Sequence, residues 1–150
     1  MDNKHYARLA AMTILSFIAM YILMYAMVDR FANVYPNFNQ FYMAGLMAAP
    51  MVVIELALMS SMYHNKRVNA VIAAVSVVAL VGFWFAIRQQ TAITDQQFLK
   101  SMIPHHDGAI LMCEEARIHD ADIKKLCSEI IAGQQSEIAQ MKAKLEQLGS

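Results

Sequence analysis

Residues 9–28 read LAAMTILSFIAMYILMYAMV, a stretch of 20 positions without a charged side chain. Two further apolar stretches follow, residues 41–63, interrupted only by Glu55, and residues 68–87. Each is close to the ~20 residues that an α-helix needs to cross the hydrocarbon core of a bilayer. The first is longer than the ~7–15 apolar residues of a cleaved signal peptide. The sequence therefore predicts three transmembrane helices, at about 9–28, 41–63 and 68–87, within a membrane domain of residues 1–93.

Basic residues flank these stretches unevenly. They form two pairs, Lys4 with Arg8 before the first stretch and Lys66 with Arg67 between the second and the third. The connection between the first and second stretches contains only Arg30. Because basic loops are retained on the cytoplasmic side of a membrane, we expect the N terminus to lie inside. Three crossings then place residues 94–150 outside, in the periplasm if the membrane is a bacterial inner membrane.

Charge divides the chain into two unlike parts. Residues 1–93 contain six basic and three acidic side chains, whereas residues 94–150 contain six basic and nine acidic ones. The formal net charge of +0 therefore combines a basic part and an acidic part. No stripe of lysine and arginine could neutralise the phosphates of a nucleic acid, so a nucleic-acid partner is not expected.

Residues 94–150 have the pattern of two amphipathic helices. Thr94-Asp95-Gln96-Gln97 fits a capping box, and the apolar residues that follow recur with a helical period. We expect Pro104 to kink the first helix and a turn near His119 to begin the second. The predicted fold class is all-α: three transmembrane helices followed by an extracytoplasmic antiparallel hairpin. Since two such helices cannot bury a complete core, the hairpin is expected to complete a four-helix bundle in a homo-oligomer, a dimer or larger.

Soft and intermediate metal ligands are concentrated in this hairpin. The first helix contains Met102-Ile103-Pro104-His105-His106 and then Met112-Cys113. Folding the hairpin about residue 120 places Cys113 beside Cys127, His106 beside Gln134, and Met141 one turn from Met102. Thioether and thiolate groups are soft and imidazole is intermediate, so this mixture favours Cu(I), with Cu(II) possible at the histidine end.

The residues alone leave two questions open. Methionine also fills gaps in helix cores, so these side chains could serve only packing. Cys113 and Cys127 could bind metal as thiolates, could form a disulfide outside the cytoplasm, or could be small buried hydrophobic residues.

Methionines in the membrane domain recur at helical spacing, and one acidic residue joins them. The set is Met20, Met24, Met27, Met43, Met47, Met51, Glu55 and Met59. An ionisable group in mid-membrane costs at least ~2.5 kcal/mol and usually faces a partner or a cavity. One hypothesis is a path for Cu(I) along these side chains. The simpler interpretation is helix packing with a neutral Glu55, for which Tyr21 and Tyr25 are candidate hydrogen-bond donors.

Two signatures, Met102-Ile103-Pro104-His105-His106 and Gln134-x-x-Glu137-Ile138-x-x-Met141, resemble the bacterial family known as domain of unknown function 305. The resemblance covers residues 94–148. It implies a ferritin-like helical fold, an extracytoplasmic location and a link to copper binding and tolerance. The ligands that it implies are His105, His106, Met112 and Met141, with Met102 nearby and Gln134 and Glu137 as weak or supporting ligands. Cys113 stands where the family commonly has a small residue, and it could add a ligand.

The predicted function is a membrane-anchored copper-binding protein. It would sequester Cu(I) or hand it to a copper-transport partner protein, and so contribute to copper tolerance. No enzyme is expected, because the sequence has no Gly-rich phosphate loop, no nucleophile elbow and no Glu-x-x-His pair for a di-iron site. The alternative is a structural membrane module whose methionines and histidines only pack helices.

Overall fold

Helices account for nearly all of the chain. The computed structural model describes residues 2–149, with side chains from Lys4 onward. Its five α-helices are α1 (Asp2–Leu23), α2 (Phe38–Leu58), α3 (Lys66–Arg88), α4 (Asp95–Glu115) and α5 (Ala121–Gln147). Two short 3-10 helices, Met24–Met27 and Phe31–Asn33, lie between α1 and α2. The described residues contain no strand, which confirms the predicted all-α class.

The chain forms two compact units. The first consists of α1 and residues 39–91, and the second consists of residues 24–38 and the chain from residue 92 onward. Residues 24–38 belong to the same unit as the hairpin. The predicted division of the chain at residue 93 stays a prediction.

Three helices among the described residues are long and apolar enough to cross a membrane, Lys4–Met27, Phe38–Leu58 and Lys66–Arg88. These correspond to the three predicted stretches, but the second ends at Leu58 rather than at Tyr63. Residues 59–62 form a turn, and Asn65 then caps α3 by accepting hydrogen bonds from the backbone N–H groups of Arg67 and Val68. Asparagine at this position satisfies backbone donors that the first turn of a helix leaves without partners.

Alanine and glycine provide four of the six buried residues of α2. Ala44, Gly45, Ala48, Ala49, Val52 and Leu56 are buried along this helix. A Cβ atom at Gly45 would collide with the ring of Phe83 on α3. Glycine at this position therefore lets α2 and α3 pack closely around that ring.

In the second unit, α4 and α5 pack antiparallel around Leu99, Ile103, Ile110, Ile138 and Leu145. Thr94 caps α4 as predicted, because its side chain accepts a hydrogen bond from the N–H of Gln97. Asp120 caps α5 by accepting from the N–H groups of Asp122 and Ile123. Each cap fixes the residue at which its helix begins.

Pro104 lies inside α4, and the helix continues through it to Glu115. A proline leaves the carbonyl four residues earlier without its helical N–H donor. Here that carbonyl belongs to Lys100, and the buried side chain of Asn37 donates to it at 3.4 Å. Residues 24–38 thus supply a hydrogen bond that the helix itself lacks.

Candidate metal-binding site

His106 is the best-positioned candidate ligand. Its Nδ1 lies 2.9 Å from the backbone carbonyl oxygen of Met102, one turn earlier in α4. Its Nε2 lies 2.7 Å from the Oε2 atom of Glu137 on α5. Only 12% of the His106 side chain is exposed, compared with 56% of the Glu137 side chain. The ring is therefore held between the two helices of the hairpin, and the carboxylate opens to the surface.

The two contacts of His106 determine what its two ring nitrogens can bind. A carbonyl oxygen can only accept, so the Nδ1 atom must carry a proton. The lone pair of Nε2 would then face a carboxylate oxygen, and that arrangement is favourable only with a cation between or beside them. A proton on Nε2 satisfies this requirement, and a metal ion that replaces the proton does so as well. An Nδ1–H bond to a backbone carbonyl is also the usual way in which proteins orient a metal-binding histidine.

The predicted neighbour of His106 was Gln134, and the structure instead pairs it with Glu137. Side chains on an α-helix lean toward the N-terminus of that helix. His106 leans toward Met102, and in an antiparallel hairpin this direction leads to a later residue of α5. Glu137, predicted as a weak or supporting ligand, therefore makes the direct contact.

His105 and Met112 lie on the outer side of α4. The ring centroids of His105 and His106 are 6.0 Å apart, with the planes inclined by 63°. Met112 is exposed, and Met102 and Gln134 are partly exposed. Among the described residues, no three His, Cys, Asp or Glu side chains lie together as a metal-binding group. One chain thus assembles the pair of His106 and Glu137 and presents further donors at its surface.

Met141 has a different environment. It packs against the hydrophobic core of the hairpin, which includes Ile138 and Leu145. This contact agrees with the packing interpretation of Met141. Its role as a ligand stays a prediction.

Cys113 and Cys127 form a disulfide, with their Cα atoms 5.3 Å apart. This is one of the three alternatives that the sequence left open, and it follows from the predicted register of the hairpin. Neither sulfur can act as a thiolate ligand while the bond is intact. The disulfide lies near the turn and joins the two helices that carry His106 and Glu137.

Asp107 is a buried residue that is not among the predicted ligands. Its side chain is 1% exposed and accepts hydrogen bonds from the backbone N–H of Arg30 at 2.7 Å and from the Asn33 side chain at 2.6 Å. Asp107 lies on the same face of α4 as Ile103 and Ile110, both buried. The signal in the sequence was a carboxylate on the apolar face of a helix. A buried carboxylate needs hydrogen-bond donors, so this position indicates that another part of the chain supplies them.

Two of the three methionines of α2 face outward from the first unit, Met51 is partly buried, and Met59 lies in the turn after this helix. Met43, Met47 and Met59 are exposed. Ala44 and Ala48, which directly follow Met43 and Met47, are buried. These methionines therefore do not line an interior path between α1, α2 and α3. A route for Cu(I) along them stays a prediction, and it would need a second molecule beside α2.

Glu55 lies one turn before the end of α2, because this helix ends at Leu58. Its hydrogen-bond donor is the hydroxyl of Tyr63, at 3.3 Å, since the turn after α2 folds Tyr63 back onto the helix. The candidate donor Tyr25 instead donates to the carbonyl of Tyr35. Burial raises the pKa of the Tyr63 hydroxyl above its ordinary value of 10.0, and the negative charge of Glu55 raises it further.

The structure thus describes an all-helical protein that combines three apolar helices with a disulfide-linked helical hairpin. The sequence profile of the family named Domain of unknown function (DUF305) matches residues 44–145. This match covers more than half of the chain, and the chain belongs to that family. The matched region begins in α2, so it extends well beyond the hairpin that carries the recognised signatures.

One curated relative is similar to nearly the whole chain. Uncharacterized protein L153 of Acanthamoeba polyphaga mimivirus is 35% identical over 139 residues, which cover 91% of this chain and 90% of the relative. The apolar helices and the hairpin therefore both fall within the similar region. No solved structure matches the chain.

Proposed function

We propose that this protein is a membrane-anchored copper-binding protein. In this proposal, the three apolar helices anchor the chain, and the hairpin holds Cu(I) for storage or for transfer to a transport protein, and so contributes to copper tolerance. The observation that carries the proposal is the geometry of His106. Its Nδ1 is fixed by the Met102 carbonyl, and its Nε2 faces the Glu137 carboxylate at 2.7 Å.

The chemistry of the nearby side chains favours copper over zinc. His105 precedes His106 on α4, Met102 provides a thioether one turn before His106, and Met112 lies two turns after His105 on the outer side of the helix. Imidazole and thioether together suit copper, whereas zinc sites are built from Cys, His and carboxylate ligands. The partly buried His106 would limit access of water to the bound ion.

The disulfide supports a location for the hairpin outside the reducing cytoplasm. Structural disulfides persist in oxidising compartments and are rare in the cytosol. The distribution of basic residues gives the same orientation, with Lys4 and Arg8 inside and the hairpin outside. We therefore propose that the hairpin binds copper on the far side of the membrane.

The test is the double variant His105→Ala with His106→Ala, compared with the control variant His119→Ala. His119 is exposed in the turn between α4 and α5, so the control removes an imidazole from the same hairpin. We expect the double variant to lose about tenfold or more in Cu(I) affinity and to keep its helicity, while the control binds like the wild type. Equal affinity in all three proteins would contradict the proposal.

A structural membrane module is the second candidate. The packing of Met141 against the hairpin core favours it, because that methionine is accounted for without a metal. This candidate predicts that the purified wild-type protein retains no Cu(I) against a competing chelator. Stoichiometric retention would reject it.

A further inference from the structure

The two sides of the hairpin differ in how the chain covers them. On one side, Asp107 binds Arg30 and Asn33, and Lys142 of α5 donates to the carbonyl of Ala32. Residues 24–38 therefore cover this side. His105 precedes Asp107 by two positions, which places it about 200° away around α4. The candidate ligand thus lies on the side that residues 24–38 do not cover.

The uncovered side of α4 carries a regular line of large side chains. Phe98, His105 and Met112 are seven residues apart, and this spacing keeps them on one line along a helix. Phe98 is 51% exposed and Met112 is 55% exposed. A line with seven-residue spacing is typical of a helix that packs along another helix.

The adjoining side of α5 is also exposed at two positions seven residues apart. Leu126 is 53% exposed, and Gly133 follows seven residues later. A Cβ atom at Gly133 would have open space around it, so nothing in its own chain requires glycine inside this helix. Glycine is a poor helix former, but it lets the backbone of another helix come close.

From this surface we infer that a second copy of the chain packs on the uncovered face and that the two copies share one copper site. This inference rests on the proposed function. A two-fold axis near His105 would place this histidine opposite His105 of the second copy. It would also bring the two pairs of His106 and Glu137 to the same level. Each chain would supply the donors that the other lacks.

The face is suited to pairing with itself. The line of Phe98, His105 and Met112 is centred on its histidine, so a two-fold axis through the centre leaves apolar side chains to pack on both sides of the metal. Glu137 is already paired with His106, so two copies can meet without two unpaired carboxylates approaching each other. A hairpin of two helices also becomes a four-helix bundle when it pairs with a copy, which buries a larger core.

The experiment uses the full chain in detergent micelles. Its molar mass is measured by light scattering, and its copper content is measured after loading with Cu(I) in ascorbate against bicinchoninate as the competitor. Ascorbate is chosen instead of a thiol so that the disulfide stays intact. We expect a dimer with one tightly held copper per two chains.

Two variants test whether the surface outside the ligands is needed. Phe98→Glu and Leu126→Glu each place a carboxylate on the uncovered face without removing a donor. Lys125→Glu, on an exposed position of α5 away from this face, is the matched control. We expect both face variants to become monomeric and to lose at least tenfold in copper retention, while the control stays dimeric and loaded.

The outcomes separate this inference from the proposed function. A monomer that holds one copper per chain, or a monomeric Phe98→Glu variant with unchanged copper retention, would overturn the shared site and leave the proposed function intact. A wild-type protein that retains no copper would overturn both. Copper lost from the two face variants, with normal helicity by circular dichroism, would support the shared site. A partner protein of another kind on this face would leave the purified wild type monomeric.

Discussion

The carboxylate of Asp107 lies 2.6 Å from the side-chain nitrogen of Asn33, although the two residues are 74 positions apart in the chain. Both residues are buried, at 1% and 4% exposure. Together with the backbone N–H of Arg30, this contact fixes residues 24–38 on α4. Residues 24–38 therefore hold α4 at the position that follows the candidate ligand His106.

Replacing Asp107 with alanine should release residues 24–38 from the hairpin. The change leaves the Arg30 N–H and the Asn33 amide without their buried acceptor, and losing hydrogen bonds to a charged group costs about 3 kcal/mol. Hydrogen exchange of backbone amides in residues 24–38 measures the release directly. We expect faster exchange there in Asp107→Ala, and little change in the exposed part of α5. Equal exchange in the two proteins would contradict the role of this carboxylate.

Local signals in the sequence were sufficient for the helices and for the register near the turn. The apolar stretches, the cap Thr94, and the juxtaposition of Cys113 with Cys127 all depend on neighbours in the sequence or on simple antiparallel counting. The disulfide itself was one of three open alternatives, because counting places two sulfurs together without deciding their oxidation state.

Contacts between distant parts of the chain could not be read in this way. The hydrogen bonds of Asp107 reach residues 24–38, which the sequence assigned to the membrane domain on account of their position between apolar stretches. The sequence offered Tyr21 and Tyr25 as donors to Glu55, but α2 ends at Leu58 and Tyr63 folds back onto it instead. The contact of His106 with Glu137 depends on the direction in which both side chains point along their helices. Matching residues by their positions in an antiparallel hairpin does not take this direction into account.

Glu137→Gln isolates the contribution of the carboxylate. The substitution keeps the size of the side chain and removes the negative charge that stabilises a cation at Nε2. We expect about 10- to 100-fold weaker Cu(I) binding, the range found when partners of metal-binding histidines are removed. Glu129→Gln, an exposed carboxylate on the same helix, should bind like the wild type.

The disulfide should stabilise the hairpin without being required for copper. Cys113 and Cys127 are separated by 14 positions, and closing a loop of about 15 residues stabilises a protein by about 3 kcal/mol in the chain-entropy treatment. Chemical unfolding of the variant Cys113→Ser with Cys127→Ser should show a loss of this order. If the histidine and methionine donors suffice, the variant still retains Cu(I) at a concentration where it stays folded. Loss of copper from the folded variant would show that the cysteines take part.

Gly45 should be intolerant of even one methyl group. A Cβ atom there would collide with the Phe83 ring, and overpacking of a core costs about 1–3 kcal/mol. Gly82, on the same unit, has open space around its missing Cβ, so Gly82→Ala is the matched control and should stabilise by up to about 1 kcal/mol. Unfolding in mixed detergent micelles measures both variants. Equal stability of the two would mean that α2 and α3 separate easily at this point.

Tyr63 should make the stability of the first unit fall at high pH. Burial and the charge of Glu55 raise the pKa of its hydroxyl above the ordinary 10.0, so the folded protein holds this proton more tightly than the unfolded chain does. The stabilisation is therefore complete below pH 10 and is lost as the pH rises through the pKa of the folded state.

In Glu55→Gln the charge is absent and burial remains, so the Tyr63 hydroxyl should titrate at a lower pH than in the wild type, still above 10. Absorbance titration of the phenolate measures the pH at which the Tyr63 hydroxyl ionises in the wild type and in Glu55→Gln. The variant Tyr63→Phe identifies the part of the signal that belongs to Tyr63. A Glu55→Gln titration that coincides with the wild type would show that the carboxylate does not act on Tyr63.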